Sequence, residues 1–312
     1  YGNLLGLFVT EVTEDEVPEV SETVQRRLGD VAEIKQMNSS HRPPHQNDAE
    51  VLVNGAFVEL SFTENKGVPN QGRHLDEILR SGAVELSQQP IYRAESGEVV
   101  GREILVRGPE ESKLHSPKRL FEAAYQEERV VALDTLIARR TLESKPARWD
   151  EVVFLNVERK SIVDPDWRDL LVDLVGQSDG GTSVCVEITE HGNLTELKEP
   201  LDELKERLQS SVRFAIDDFG TGSSNFEAII DLDPDILKID RSLISGIDQN
   251  FGKRSLVESI VSFSQTTEVR VLAEGIEEPE EWETLQDLGV DWAQGFFFQR
   301  PSSISVNGSR NA

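Results

Sequence analysis

The stretch Val212-Arg213-Phe214-Ala215-Ile216-Asp217-Asp218-Phe219-Gly220-Thr221-Gly222 decides how the rest of the chain is read. A short apolar run of strand character ends on two adjacent carboxylates, and a turn with two glycines follows. The pattern recurs along the chain. Val152-Val153-Phe154-Leu155 runs into Asn156, Val184-Cys185-Val186 into Glu187, and Asp235-Ile236-Leu237 into Lys238. Val271-Leu272-Ala273 ends on Glu274 and Trp292-Ala293 on Gln294; upstream, Val99-Val100-Gly101-Arg102 leads to Glu103, with Arg107 four residues on. Strands are expected over 84–92, 99–106, 152–157, 183–188, 212–216, 236–239, 269–273 and 292–297. Helices are expected over 117–127, 132–143, 167–175, 197–210, 224–230, 253–266 and 279–288. Strands alternating with helices from about residue 75 indicate an α/β fold, a (β/α)8 barrel. An open doubly wound sheet is the structural alternative. No Gly-rich dinucleotide fingerprint or P-loop follows a strand.

In a parallel barrel the strand C-termini converge on one face. Glu103, Asn156, Glu187, Asp217, Asp218, Lys238, Glu274 and Gln294 are therefore expected in one mouth. Any one of them alone reads as a helix cap or a solvated loop residue. Together they form a crowd of carboxylates, which stays ionised only with cations between its members. Oxygen-rich sites of this kind suit Mg²⁺ or Mn²⁺ rather than zinc. The Asp217-Asp218 pair suits two bridged ions and phosphoryl chemistry. Lys238 balances charge or positions and deprotonates a water. A metal-assisted lyase with Lys238 as carbon base is the rival reading. The Gly220-Thr221-Gly222 turn is either an ordinary strand-to-helix connection with a serine cap or a gating loop.

Charge and composition narrow the partners. The 312 residues carry 58 Asp+Glu against 32 Lys+Arg, a formal net charge of −26. Such a surface disfavours long nucleic acids and anionic membranes. No apolar run approaches the roughly 20 residues that span a bilayer, and no secretory leader is visible. The chain starts at Tyr1 rather than Met and reads as a fragment. One cysteine, Cys185, excludes an internal disulfide framework and reads as a buried core thiol in a reducing cytoplasm. Few of the 58 acids belong to the mouth, so the acidic excess is a surface property, with adaptation to high salt as one reading.

The first part of the chain differs. A strand over 4–10, a helix over 14–34 and a loop over 38–48 are expected. Asn54-Gly55, between apolar runs at 51–53 and 56–60, signals a hairpin. His41 and His45 have helical metal-ligand spacing, but Pro43 and Pro44 forbid the helix. The expected division is a small α+β region at 1–74, a barrel at 75–304 and a tail at 305–312.

From about residue 75 to 302 the chain resembles the EAL-domain family of cyclic di-GMP phosphodiesterases. The resemblance rests on Gln89-Pro90-Ile91, Glu103-Ile104-Leu105 in the signature position, Leu155-Asn156-Val157, Glu187-Ile188-Thr189-Glu190, and Asp217-Asp218-Phe219-Gly220-Thr221-Gly222. Leu237-Lys238-Ile239-Asp240-Arg241-Ser242, Ala273-Glu274-Gly275-Ile276-Glu277 and Ala293-Gln294-Gly295-Phe296 complete it, in order. It implies a barrel whose first strand runs antiparallel, and hydrolysis of cyclic di-GMP to linear pGpG with two Mg²⁺ or Mn²⁺ ions. It implies a metal shell of Glu103, Asn156, Glu187, Asp217, Asp218 and Glu274. Lys238 would hold or deprotonate the water, and Glu190 would steady the loop after Asp218. Gln89, Arg107 and Gln294 would belong to the substrate site, and a homodimer with that loop near its interface is expected. Three departures stand out: Ile104 in place of Ala, Gly108 in place of Trp, and Ser223-Ser224-Asn225-Phe226 in place of an aromatic and two serines. They motivate the alternative of a weak or inactive cyclic di-GMP receptor. Tyr1-Gly2-Asn3-Leu4-Leu5-Gly6 resembles a degenerate remnant of the GGDEF cyclase signature, without its acidic residues; an unrelated regulatory module is the other reading.

Overall fold

The computed structural model describes residues 32–38, 48–53, 56–62, 71–144, 151–177, 183–189, 194–220 and 230–304. The chain divides into two compact units, Tyr1–Asn70 and Gln71–Ala312. In the first, β1 (Ala32–Asn38), β2 (Asp48–Val53) and β3 (Ala56–Phe62) form an antiparallel sheet in the order β1-β3-β2. Val53 pairs with Ala56, the pairing expected of a hairpin over 51–60. Residues 32–34, read from sequence as a helix end, lie in strand β1. The readings over 1–31, the His41/His45 pair and the tail at 305–312 fall outside the described residues.

The second unit opens with α1 (Gln71–Ser81) and continues β4 (Glu85–Arg93), β5 (Val99–Arg107), α2 (Pro117–Gln126), α3 (Val130–Ser144) and β6 (Val152–Asn156). Then come α4 (Arg159–Val163), α5 (Pro165–Gly176), β7 (Val184–Thr189), α6 (Lys198–Leu208), β8 (Val212–Phe219) and β9 (Ile236–Ile239). It ends with α7 (Arg241–Ile244), α8 (Phe251–Thr267), β10 (Arg270–Ala273), α9 (Pro279–Leu288), β11 (Trp292–Ala293) and β12 (Ser302–Ser303). Local chemistry sets the helix starts. Ser116 and Asp164 accept hydrogen bonds from first-turn amides ahead of Pro117 and Pro165, and Asn250 does the same for α8.

Strands β4 to β11 close into an eight-stranded barrel through the β11–β4 pairing. β4 runs antiparallel to β5 and β11, whereas β5 to β11 are mutually parallel. The fold is thus the expected barrel with its first strand reversed; β12 pairs antiparallel with Ser87 and Gln88 of β4.

The period-two alternation of strands explains both its core and its site. Outward residues pack against the helices in one large apolar cluster that includes Ile104, Leu155, Val186, Ile216, Leu237 and Val271. Inward, Ile91, Phe154, Cys185, Ala215, Ile236, Leu272 and Trp292 form a separate apolar layer across the barrel. Cys185 is fully buried there, as its sequence context suggests. Two residues further toward the C-terminal mouth on each strand (two back on reversed β4) stand Gln89, Asn156, Glu187, Asp217, Lys238, Glu274 and Gln294. The apolar layer is the floor of the polar one.

Candidate active site

The polar layer converges on Lys238, whose side chain is only 1% exposed. Its Nζ lies 2.5 Å from Glu187 Oε1, 2.8 Å from Glu274 Oε1, 3.0 Å from Asp217 Oδ1 and 3.9 Å from Glu103 Oε1. Burial alone would drive the proton off Lys238. The carboxylates of Glu187, Glu274, Glu103 and Asp217 outweigh it and raise the ammonium's pKa well above its usual value. Burial, opposed by Lys238, raises Glu187 as well and lifts Glu274 to about 8.

A second network orients Glu103. Gln294 Nε2 donates to Glu103 Oε2 at 2.6 Å and to Gln89 Oε1 at 3.1 Å. Asn156 Nδ2 donates to Glu103 Oε1 at 3.1 Å, and Gln89 Nε2 donates to the Gln299 carbonyl at 3.0 Å. Gln89 and Gln294, singled out as substrate residues, therefore line the wall as a buried amide pair. Arg107 stands exposed at the C-terminal end of β5. Glu190 lies outside the described residues, as do residues 221–229 of the loop.

Two of the three departures from the family pattern have local explanations; the third, at 223–226, lies outside the described residues. Ile104 points outward into the barrel–helix core and leaves Glu103 in its network. At Gly108 a Cβ would meet the Leu114 carbonyl oxygen at 2.3 Å, so no side chain fits that conformation. The mouth's geometry depends on another close approach. A Cβ on Gly295 would lie 2.1 Å from the Ile276 carbonyl oxygen, so only glycine lets the segment after Gln294 pack on the one after Glu274.

The strand bearing the carboxylate pair is longer than expected. β8 continues through Phe219, with a register shift between Ile216 and Phe219. Asp218 there has φ 57°, and its amide donates to Asp217 Oδ1 at 2.9 Å. This bulge aims the two adjacent carboxylates differently.

Two further acids, neither singled out in the sequence, support the site. Asp134 is buried on α3, where Oδ2 accepts from Ser161 Oγ at 2.6 Å and Glu158 N at 3.0 Å. It fixes the turn that follows Asn156. Glu281 on α9 accepts from Gly246 N at 2.9 Å, Glu277 N at 3.0 Å and Glu278 N at 3.2 Å. It fixes the turn that follows Glu274.

The donors suit a hard divalent ion. All are oxygens, and both Glu187 carboxylate oxygens and Gln294 Oε1 are buried without a hydrogen bond, although Glu187 is ion-paired with Lys238. In the conformation seen they gather on the ammonium, and no three His, Cys, Asp or Glu side chains among the described residues form a metal cage.

A family model described as the EAL domain matches residues 73–301. An uncharacterised protein of Mycobacterium tuberculosis is 30% identical over 253 residues, which cover 77% of this chain and 41% of that protein. The cyclic di-GMP phosphodiesterase NbdA of Pseudomonas aeruginosa is 30% identical over 241 residues, 74% of this chain and 30% of its own length. The chain thus spans less than half of these relatives. Among solved structures, Klebsiella pneumoniae BlrP1 in a calcium/cyclic di-GMP complex is 27% identical with a TM-score of 0.63, covering 72% of this chain and 57% of that one. The manganese/cyclic di-GMP complex of BlrP1 matches with a TM-score of 0.61, at 27% identity and with 72% and 57% covered. With motif order, barrel topology and family model in agreement over this span, the chain belongs to the EAL domain family.

Proposed function

We propose that the barrel hydrolyses cyclic di-GMP to linear pGpG. The observation that carries this reading is the single layer that brings Glu103, Asn156, Glu187, Asp217, Lys238, Glu274 and Gln294 together above an apolar floor. The named activity of NbdA and the ligands of BlrP1 support it. Glu103, Asn156, Glu187, Asp217, Asp218 and Glu274 would hold two Mg²⁺ or Mn²⁺ ions, which when bound supply the charge that activates a water and neutralises a phosphodiester. Water adds to one phosphorus and the O3′ of the neighbouring ribose leaves, giving a 5′-phosphate on the linear product. Lys238 keeps its proton among the carboxylates, so it holds the water by donating to it. Gln294 and Asn156 fix Glu103, and Arg107 presents a guanidinium fork to the dinucleotide. Glu190 steadies the loop beyond Asp218.

The expected result is conversion of cyclic di-GMP to pGpG by the purified protein with Mg²⁺ or Mn²⁺, and loss of turnover in Lys238→Ala. Tight binding with no pGpG under any metal condition would make the barrel a receptor and sink the enzymatic reading. We also infer a cytoplasmic homodimer with residues 1–74 as a regulatory module. Light scattering that finds only monomers would overturn the dimer. Among the described residues no helix is long and apolar enough to cross a membrane.

A further inference from the structure

The apolar layer has a second face, toward the N-terminal ends of the parallel strands. One step of the strand period below it, on the inward side, stand Arg93 on β4, Arg213 on β8 and Arg270 on β10. They line a cavity of about 460 Å³ together with Val99, Val152 and Trp292. This volume lies within the range of small-molecule sites.

The cavity's charge opposes that of the molecule. In a chain with 58 acids, none of these three arginines has a carboxylate within ion-pair distance among the described residues. Arg213 bonds the Ser183 hydroxyl at 2.8 Å, and Arg270 lies over the Trp292 ring, 5.2 Å from its centroid. Two glutamates also line the cavity, but Glu151 is paired with Arg102 at 3.2 Å, leaving Glu98. The nearby Asp235 and Asp291 are turned to backbone, accepting from Phe214 N at 2.9 Å and Val271 N at 2.8 Å. The indole N–H of Trp292, in the buried wall, has no acceptor.

Conserving stability is the ordinary role of this end of a barrel. Three guanidinium groups lining one cavity with no carboxylate paired to them among the described residues do not serve it, because like charges repel in a concave site. They present instead the forked donors that match phosphate oxygens, over a floor of valine and tryptophan. We propose that this end of the barrel is a second ligand site, for a small phosphomonoester with a flat apolar body.

Phenyl phosphate is the probe, titrated calorimetrically into the full chain at low ionic strength, with inorganic phosphate and phenol in parallel. The expected result is one saturable site that prefers phenyl phosphate to either fragment. The double variant Arg93→Gln/Arg270→Gln should weaken binding about tenfold or more, whereas Arg107→Ala, at the opposite mouth, should leave it unchanged. Arg93 and Arg270 are exposed, so the variant's fold is checked by its melting curve. Arg270→Lys is the second variant, keeping the charge but losing the planar fork; it should also weaken binding. The proposal is overturned by no saturable binding, by phosphate binding as tightly as phenyl phosphate, by undiminished binding in both Arg270 variants, or by loss of binding in Arg107→Ala.

Discussion

Two buried side chains hold opposite charge problems. Among the described residues Lys238 is the one cation that meets four carboxylates, three of them within 3.0 Å. Removing one partner of a buried ion pair strands the rest, at a cost of about 3–5 kcal/mol. Lys238→Met should therefore lower the stability of the metal-free protein by that order in denaturant titrations. Added Mn²⁺ should then raise the variant's melting temperature more than the wild type's, because the ion takes over the ammonium's role. An equal rise in both would mean that the ion does not take the place of the ammonium. Asp134 is the reverse case, a buried acid with no cation. Burial, eased by its bonds from Ser161 and Glu158, lifts it from 3.8 to about 8, and its Oδ1 has no partner among the described residues. A raised native pKa means that the folded protein binds the proton more tightly than the unfolded chain. The resulting stabilisation is complete below about pH 4 and is lost as pH climbs to 8. Asp134→Asn cannot ionise. Its stability relative to wild type should rise between pH 5 and 8, by on the order of a few kcal/mol. A constant difference across that range would show that Asp134 is ionised throughout.

The supporting elements show where sequence reading stops. Most strands were legible because apolar runs end on polar residues. Parallel order then sends those ends to one mouth, and Glu103, Glu187, Lys238 and Gln294 meet there. Helix α1 was not legible: Gly72 and His74 interrupt it, and Leu75 and Ile78 gain their meaning by burial in the core. β11 was read over 292–297, but it ends at Ala293 because Gly295 closes on Ile276 and Phe297 N turns to the Ile276 carbonyl. The gathering of carboxylates on Lys238 needed barrel closure, which no local pattern encodes. The same applies to Glu281, an exposed-looking acid in the first turn of α9 that ties down the segment after Glu274. Burial raises its pKa, but the backbone N–H groups of Glu277, Gly246 and Glu278 together hold it below the usual carboxylate value. Glu281→Ala leaves those donors without an acceptor, at a cost of about 1–3 kcal/mol. It should lower the melting temperature and weaken Mn²⁺ binding, read by metal titration of the folded variant. Unchanged metal affinity would confine Glu281 to capping α9.

At the scale of the molecule, the net charge of −26 and the two ends of the barrel belong together. The mouth concentrates acid around one lysine, and the opposite end lines a cavity with three arginines that have no carboxylate paired to them among the described residues. The site uses only six of the 58 acids if Glu190 is counted with Glu103, Glu187, Asp217, Asp218 and Glu274. Most of the remaining excess is therefore distributed over the surface, where like charges repel and weaken the compact state. Salt screens that repulsion: the Debye length falls from about 10 Å at 0.1 M to about 3 Å at 1 M. Exposed ion pairs such as Arg129–Asp76 and Arg241–Glu277 lose strength as well, but such pairs contribute little to begin with. Repulsion therefore dominates the balance, and the melting temperature should rise as KCl is raised toward molar concentration. Turnover should rise with it if the surface is adapted to high salt. A melting temperature that is flat or falling over that range would mean that the acidic residues are spaced widely enough, or paired well enough, to carry no net strain.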